Sequence, residues 1–167
     1  MYIPFEELSA ESRVWIYQGS RPFTSHEVEL VNKALTVFCE QWNAHGQALK
    51  SSFRIEKNQF VIMSVDEDFH NPSGCSIDSS VGVLRQIQSA TGIDFLDRSK
   101  ASFYLDDKVT LIPLTELKSG FSSGRLQASS ITFNTLAATK SEWEAKWQLP
   151  AEKSWMAKYL SKAALAS

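Results

Sequence analysis

Thiol and imidazole groups are the side chains best suited to nucleophilic and acid–base chemistry near neutral pH. This chain of 167 residues carries two cysteines and three histidines. Cys75 stands in the small, polar stretch Ser73-Gly74-Cys75-Ser76-Ile77-Asp78-Ser79-Ser80, between an apolar strand-like run and an amphipathic helix-like run. At or just before a helix N-terminus a thiol meets unpaired N–H groups and the positive end of the helix dipole, and both favour the thiolate. With His45 or His70 as base and Asp78 close by, Cys75 is the candidate nucleophile of a cysteine-dependent enzyme. The same stretch offers an anion cradle in which the N–H groups from Gly74 onward and the hydroxyls of Ser76, Ser79 and Ser80 surround a phosphate or carboxylate. It contains no lysine, and Asp78 opposes an anion. Helix capping alone also accounts for small polar residues at this place.

Metal chemistry has less support. Asp66, Asp68 and His70 alternate as oxygen and nitrogen ligands, but a solvated acidic loop explains them better. Cys39 and Cys75 are too few for a site of four thiolates, so no metal and no cofactor are expected. The chain also lacks a Gly-x-x-x-x-Gly-Lys-Ser/Thr loop, a Gly-x-Gly-x-x-Gly turn, a Gly-x-Ser-x-Gly elbow and a His-Glu-x-x-His pair. The common nucleotide, dinucleotide, hydrolase and zincin chemistries lose their usual support.

The elements that must position these residues are legible in order. Arg13-Val14-Trp15-Ile16-Tyr17 reads as a strand, apolar on both faces and therefore central. Thr24 followed three residues later by Glu27 is a capping box, which starts a helix near Ser25. Val28, Val31, Leu35, Phe38 and Trp42 form its apolar stripe, and Gly46 is free to close it left-handed. Residues 53–56 and 60–65 make a β-hairpin with an outer and an inner strand. Ile77, Val81, Leu84 and Ile87 then define a second helix, capped by Ser73 or Ser76 and stopped by Gly92. A second hairpin, 101–105 and 109–112, turns at Asp106-Asp107-Lys108. Beyond it come a short helix near 115–118, a strand at 131–133, a helix from Thr139 with Glu142 in a capping box, and a final helix after Pro150. His26, in the first turn of the first helix, reads as a surface residue.

Strand, helix, strand, strand, helix, strand is the order of a ferredoxin-like β-α-β-β-α-β core in an α+β protein, here with one added hairpin strand. Such a core leaves one sheet face open. Trp15, Tyr17 and the inner hairpin strand nevertheless supply apolar groups to both faces, so the C-terminal helices, with Trp143, Trp147 and Trp155, are expected to cover the second. This topology brings the loop with His45 and the loop with Cys75 to the same end of the sheet. His45, His70, Cys75 and Asp78 then become one candidate constellation.

Bulk properties set outer bounds. The length and 43% hydrophobic content fit a single domain over residues 1–167. A net charge of -2 gives no basic field for nucleic acid. No apolar run approaches the roughly 20 residues that span a bilayer, and the first residues carry no secretion signal, so a cytoplasmic location is expected.

Across nearly its whole length the chain resembles a family of short bacterial proteins of uncharacterised activity that are often labelled "ABC transporter ATPase". The resemblance runs through Tyr2-Ile3-Pro4-Phe5-Glu6-Glu7, Ser12-Arg13-Val14-Trp15-Ile16-Tyr17, Trp42 with Ala44-His45-Gly46, residues 73–81, Asp97-Arg98, Thr139-Lys140 and Ser154-Trp155. The label implies ATP hydrolysis. The chain has no phosphate-binding loop and no Leu-Ser-Gly-Gly-Gln signature, so no ATPase residue is carried over. The sequence favours a binding or interaction protein without chemistry of its own, its ligand a small anion or its partner another protein. A cysteine-dependent enzyme using Cys75 is the alternative.

Overall fold

Two chain reversals are as short as hairpins allow. His45-Gly46 and Asp106-Asp107 each turn the chain with both central residues at positive φ, 51° and 76° in the first, 51° and 60° in the second. That is the handedness a two-residue turn needs to match the twist of its strands. Glycine, asparagine and aspartate enter this region most readily, and His45 is the one histidine that does so.

The structure is a computed structural model that describes residues 1–160. Its elements are β1 (Arg13–Gln18), α1 (Ser25–Gln41), β2 (Asn43–Ala44), β3 (Gln47–Ala48), β4 (Ser51–Glu56), β5 (Phe60–Val65) and α2 (Gly74–Thr91). They are followed by β6 (Lys100–Leu105), β7 (Lys108–Pro113), α3 (Leu117–Ser122), β8 (Ile131–Phe133), α4 (Lys140–Lys146) and β9 (Gln148–Pro150). No helix among the described residues is long and apolar enough to cross a membrane. The chain forms an α+β protein in two compact units, one of Met1–Leu96 with Leu136–Ala145, the other begun by Asp97–Thr135 and resumed at Lys146.

In the first unit β1, β5 and β4 form an antiparallel sheet in that order. The register aligns Trp15 with Met63 and Phe53, and Tyr17 with Val61 and Ile55. Because side chains alternate across a strand, these six residues share one face. They pack into one core with Val31, Leu35 and Cys39 of α1 and Leu84 and Ile87 of α2. Both capping motifs form. Thr24 Oγ1 accepts from the N–H of Glu27 at 3.2 Å and Glu27 Oε1 from that of Thr24 at 2.9 Å. Ser73 is the cap of α2, and Gly92, at φ 77°, ends it. Arg21 adds a clamp that the sequence did not reveal: its guanidinium donates to both Glu27 oxygens at 2.8 Å and to the Thr91 carbonyl at 2.7 Å. The start of α1 is thereby tied to the end of α2.

On the opposite face Val14, Ser64 and Ser52 stand in one row and Ile16, Ile62 and Arg54 in the next. The Arg54 guanidinium lies 5.5 Å from the Trp143 ring and 5.9 Å from that of Phe5, and those two rings meet edge to face at 5.5 Å. Lys140 Nζ, nearly buried, donates to the carbonyls of Leu8 at 2.8 Å and Glu6 at 3.2 Å. One tryptophan of the three thus covers this face as expected. Trp147 packs at 5.1 Å on Phe133 of the second unit, and Trp155 is 42% exposed.

Three further expectations are corrected. The fourth strand of a ferredoxin-like sheet belongs beside β1, but β6 pairs with β7 and β8 in a four-stranded antiparallel sheet ordered β7-β6-β8-β9. The free edge of β1 is met instead by the segment before α4, with Val14 N–H on the Ala138 carbonyl at 2.9 Å and Lys140 N–H on that of Ser12 at 2.8 Å. Alternation specifies which side of a strand is buried and leaves open which edge it joins. Next, α1 ends at Gln41 on an extended Trp42, and the left-handed Gly46 serves the small hairpin rather than the helix. Finally, the helix expected after Pro150 is two 3-10 segments, Ala151–Lys153 and Trp155–Tyr159; residues 161–167 lie outside the described residues.

The second unit has its own core of Ala101, Phe103, Ile112, Leu117, Leu126, Ala151 and Met156. Gly120 is needed where it stands. A Cβ there would lie 2.9 Å from Leu126 Cδ1.

Candidate functional site

Trp42 is the hinge of a groove in the first unit. Its indole N–H donates to the Ser76 carbonyl at 2.8 Å, which ties the end of α1 to the first turn of α2. Its ring lies 4.9 Å from Phe38 and 6.0 Å from Trp15. The chain then turns immediately through the β2–β3 hairpin, whose tip carries an exposed His45. Between these elements opens a groove of about 330 Å³ lined by Phe38, Gln41, Trp42, Asn43, His45, Ser73, Cys75, Ser76 and Ser79.

His45 and Cys75 therefore border one space, as the strand order implied. Asp78 is exposed on α2 and does not line the groove, and neither does Gly74. His70 lies against the ring of Phe69 at 4.8 Å and is also absent from the lining. Cys75 is an exposed free thiol. Cys39 is its opposite: burial pushes its thiol up to about 12, where it is inert at neutral pH.

The hydroxyls proposed for an anion are committed to the helix itself. Ser76 Oγ donates to the Ser73 carbonyl at 2.7 Å and accepts from the Ser73 N–H. Ser79 Oγ donates to the Cys75 carbonyl at 2.9 Å. Ser80 is buried and donates to the Ile77 carbonyl at 2.6 Å. The Ser76 N–H is taken by Ser73 Oγ at 3.1 Å, which leaves the N–H groups of Gly74 and Cys75 as the open donors of the first turn. Among the described residues no lysine, arginine, aspartate or glutamate lines the groove. The acidic loop has protein partners: Asp66 Oδ1 accepts from the Asp68 N–H at 3.0 Å, Lys50 lies 3.9 Å from its other oxygen, and Arg13 lies 3.6 Å from Glu67. Among the described residues no three His, Cys, Asp or Glu side chains gather closely enough to hold a metal ion.

Sequence reasoning missed Gln41 and Asn43 as lining residues, and it placed Phe38 and Trp42 in a core stripe. The stripe was real, since Trp42 is 3% exposed. Periodicity does not reveal that the last turn of α1 and the Trp42 that follows it also border a groove.

Comparison of the chain with family models, with curated proteins and with solved structures finds no match.

Proposed function

We propose that the chain is a small ligand-binding protein whose site is the groove between the end of α1, the β2–β3 hairpin and the start of α2. The lining of that groove carries the reading. Phe38 and Trp42 form an aromatic wall, Gln41, Asn43 and His45 supply polar groups, and the open N–H group of Cys75 suits a hydrogen-bond acceptor on the ligand. The best-fitting ligand has a planar apolar part and one weakly charged acceptor, such as a single carboxylate. A triphosphate would need cationic side chains that the groove does not supply, so the ATPase label is not adopted. Two free thiols suit the reducing cytoplasm.

The reading is tested by NMR titration of the labelled chain with benzoate and, as a neutral counterpart, benzamide. Saturable shifts at Phe38, Trp42, His45, Cys75 and Ser79 are expected, with benzoate the tighter binder. Shifts scattered over the surface would overturn it.

A second reading rests on the exposed Cys75 sharing the groove with His45. In this reading the imidazole takes the thiol proton and the thiolate attacks an electrophilic ligand. Iodoacetamide alkylation of Cys75 decides it. Half-maximal rate well below the ordinary thiol value of about 8.5, lost in His45→Asn, supports the enzyme; a midpoint near that value removes it.

A further inference from the structure

We propose a second small-molecule site in the other unit, a groove that takes a primary ammonium carrying an apolar body. The groove encloses about 490 Å³, within the range of small-ligand pockets, and is lined by Phe121, Leu126 and Leu160 with Gln127, Ser129 and Glu152.

Backbone bonds build its walls. After α3 the chain reverses at Gly124, whose φ is 83°, and the Leu126 N–H returns to the Gly120 carbonyl at 3.0 Å. That closure seats Leu126 against the bare Cα of Gly120, the close approach that excludes a Cβ there. The far wall is tied to the Ala151–Lys153 turn, with Ala151 N–H on the Ser130 carbonyl at 2.8 Å and Glu152 N–H on that of Ala128 at 3.0 Å. Gln127 N–H donates to Ser130 Oγ at 2.9 Å and fixes the loop between. The groove is thus formed before any ligand arrives.

Glu152 gives it a sign. Its side chain is half-buried beside apolar groups, and among the described residues it has neither an ion pair nor a hydrogen-bond donor. The cations that adjoin lining residues in the chain, Arg125 beside Leu126 and Lys153 beside Glu152, are exposed and make no ion pair with it. A carboxylate stripped of part of its water without a counter-charge is complemented by a cation, and the apolar floor selects one with a hydrocarbon body. A carboxylate ligand meets repulsion in the same place.

The test is an NMR titration of the full chain with phenethylamine, alongside 2-phenylethanol and phenylacetate. Saturable shifts confined to residues 121–129, 152–153 and 160 are expected for phenethylammonium. The alcohol should bind about tenfold more weakly and phenylacetate should not saturate. Glu152→Gln should weaken the ammonium about tenfold and leave the alcohol unchanged, with the rest of the spectrum as the control for folding. Ser129→Trp, which fills the groove without touching the carboxylate, should abolish both. Equal binding of ammonium and alcohol, indifference to Glu152→Gln, or shifts that never saturate would each overturn the proposal.

Discussion

The groove at the start of α2 and the groove beside α3 are walled in different ways. The first is held by a side chain, with the Trp42 indole bonded to the Ser76 carbonyl, and among the described residues it is lined by no carboxylate, lysine or arginine. The second is held by backbone bonds around Gly124 and Ala151 and carries one carboxylate, Glu152, that is unpaired among the described residues. A side-chain latch leaves a wall sensitive to a single residue, whereas a backbone lattice is sensitive to chain geometry. The units that carry them differ likewise: two long helices cover the sheet of the first, while the core of the second depends on short 3-10 and α segments.

The largest expected effects come from the two cores. Leu35 and Phe103 are each fully buried, one in each unit. Leu35→Ala should cost about 2–5 kcal/mol and Phe103→Ala about 3–5 kcal/mol in chemical denaturation. Hydrogen exchange read unit by unit sharpens the contrast: protection should fall first in the unit carrying the lesion, and equal losses in both would show that the two unfold as one. A matched pair then probes the walls. Gly120→Ala forces a Cβ against Leu126 and should cost about 1–3 kcal/mol by overpacking. Trp42→Phe keeps an aromatic ring but loses volume and the donor to Ser76, and should cost about 1–3 kcal/mol. Each should perturb the NMR signals of its own groove; a Gly120→Ala spectrum disturbed mainly around His45 would contradict the comparison.

The smallest effect belongs to acid. The Arg21 guanidinium, and after it the Thr24 N–H, hold the Glu27 carboxyl down at about 2, against an ordinary 4.5. A carboxyl lowered in the folded state contributes stability that is complete above its unfolded value and disappears as pH falls through the folded one. The Arg21–Glu27 contribution should therefore be intact above pH 4.5 and fade between 4.5 and 2. Because the pair is exposed to solvent the change is slight and weaker in high salt. Glu27→Gln should flatten the stability profile of the first unit in that window; an unchanged acid profile would mean that the clamp carries no weight.

Much of the frame was legible because its causes are local. Thr24 and Glu27 meet within one helical turn, Gly92 supplies the left-handed stop of α2, and Asp106-Asp107 allows the tight turn between β6 and β7. The pairing of 53–56 with 60–65 and the common end of His45 and Cys75 also followed from element order, since a short hairpin admits one register and each helix reverses the chain. Asp78, His70 and Ser80 illustrate what order cannot supply. A residue's turn on its helix or loop decides whether it meets the groove, and these three turn away.

By itself, then, the sequence determined where α1 and α2 begin, where α2 stops, the turn between β6 and β7, the α+β class and the neighbourhood of Cys75, because caps, turns and apolar periods act over a few residues. Tertiary structure alone decided that β6 leaves the first sheet, that Trp143 packs on Phe5 in one unit and Trp147 on Phe133 in the other, that Arg21 reaches Thr91, and that the serine hydroxyls of α2 are spent on its own carbonyls. Those outcomes depend on which edges and faces come together across tens of residues, and the same apolar pattern satisfies several such arrangements until packing and backbone hydrogen bonding select one.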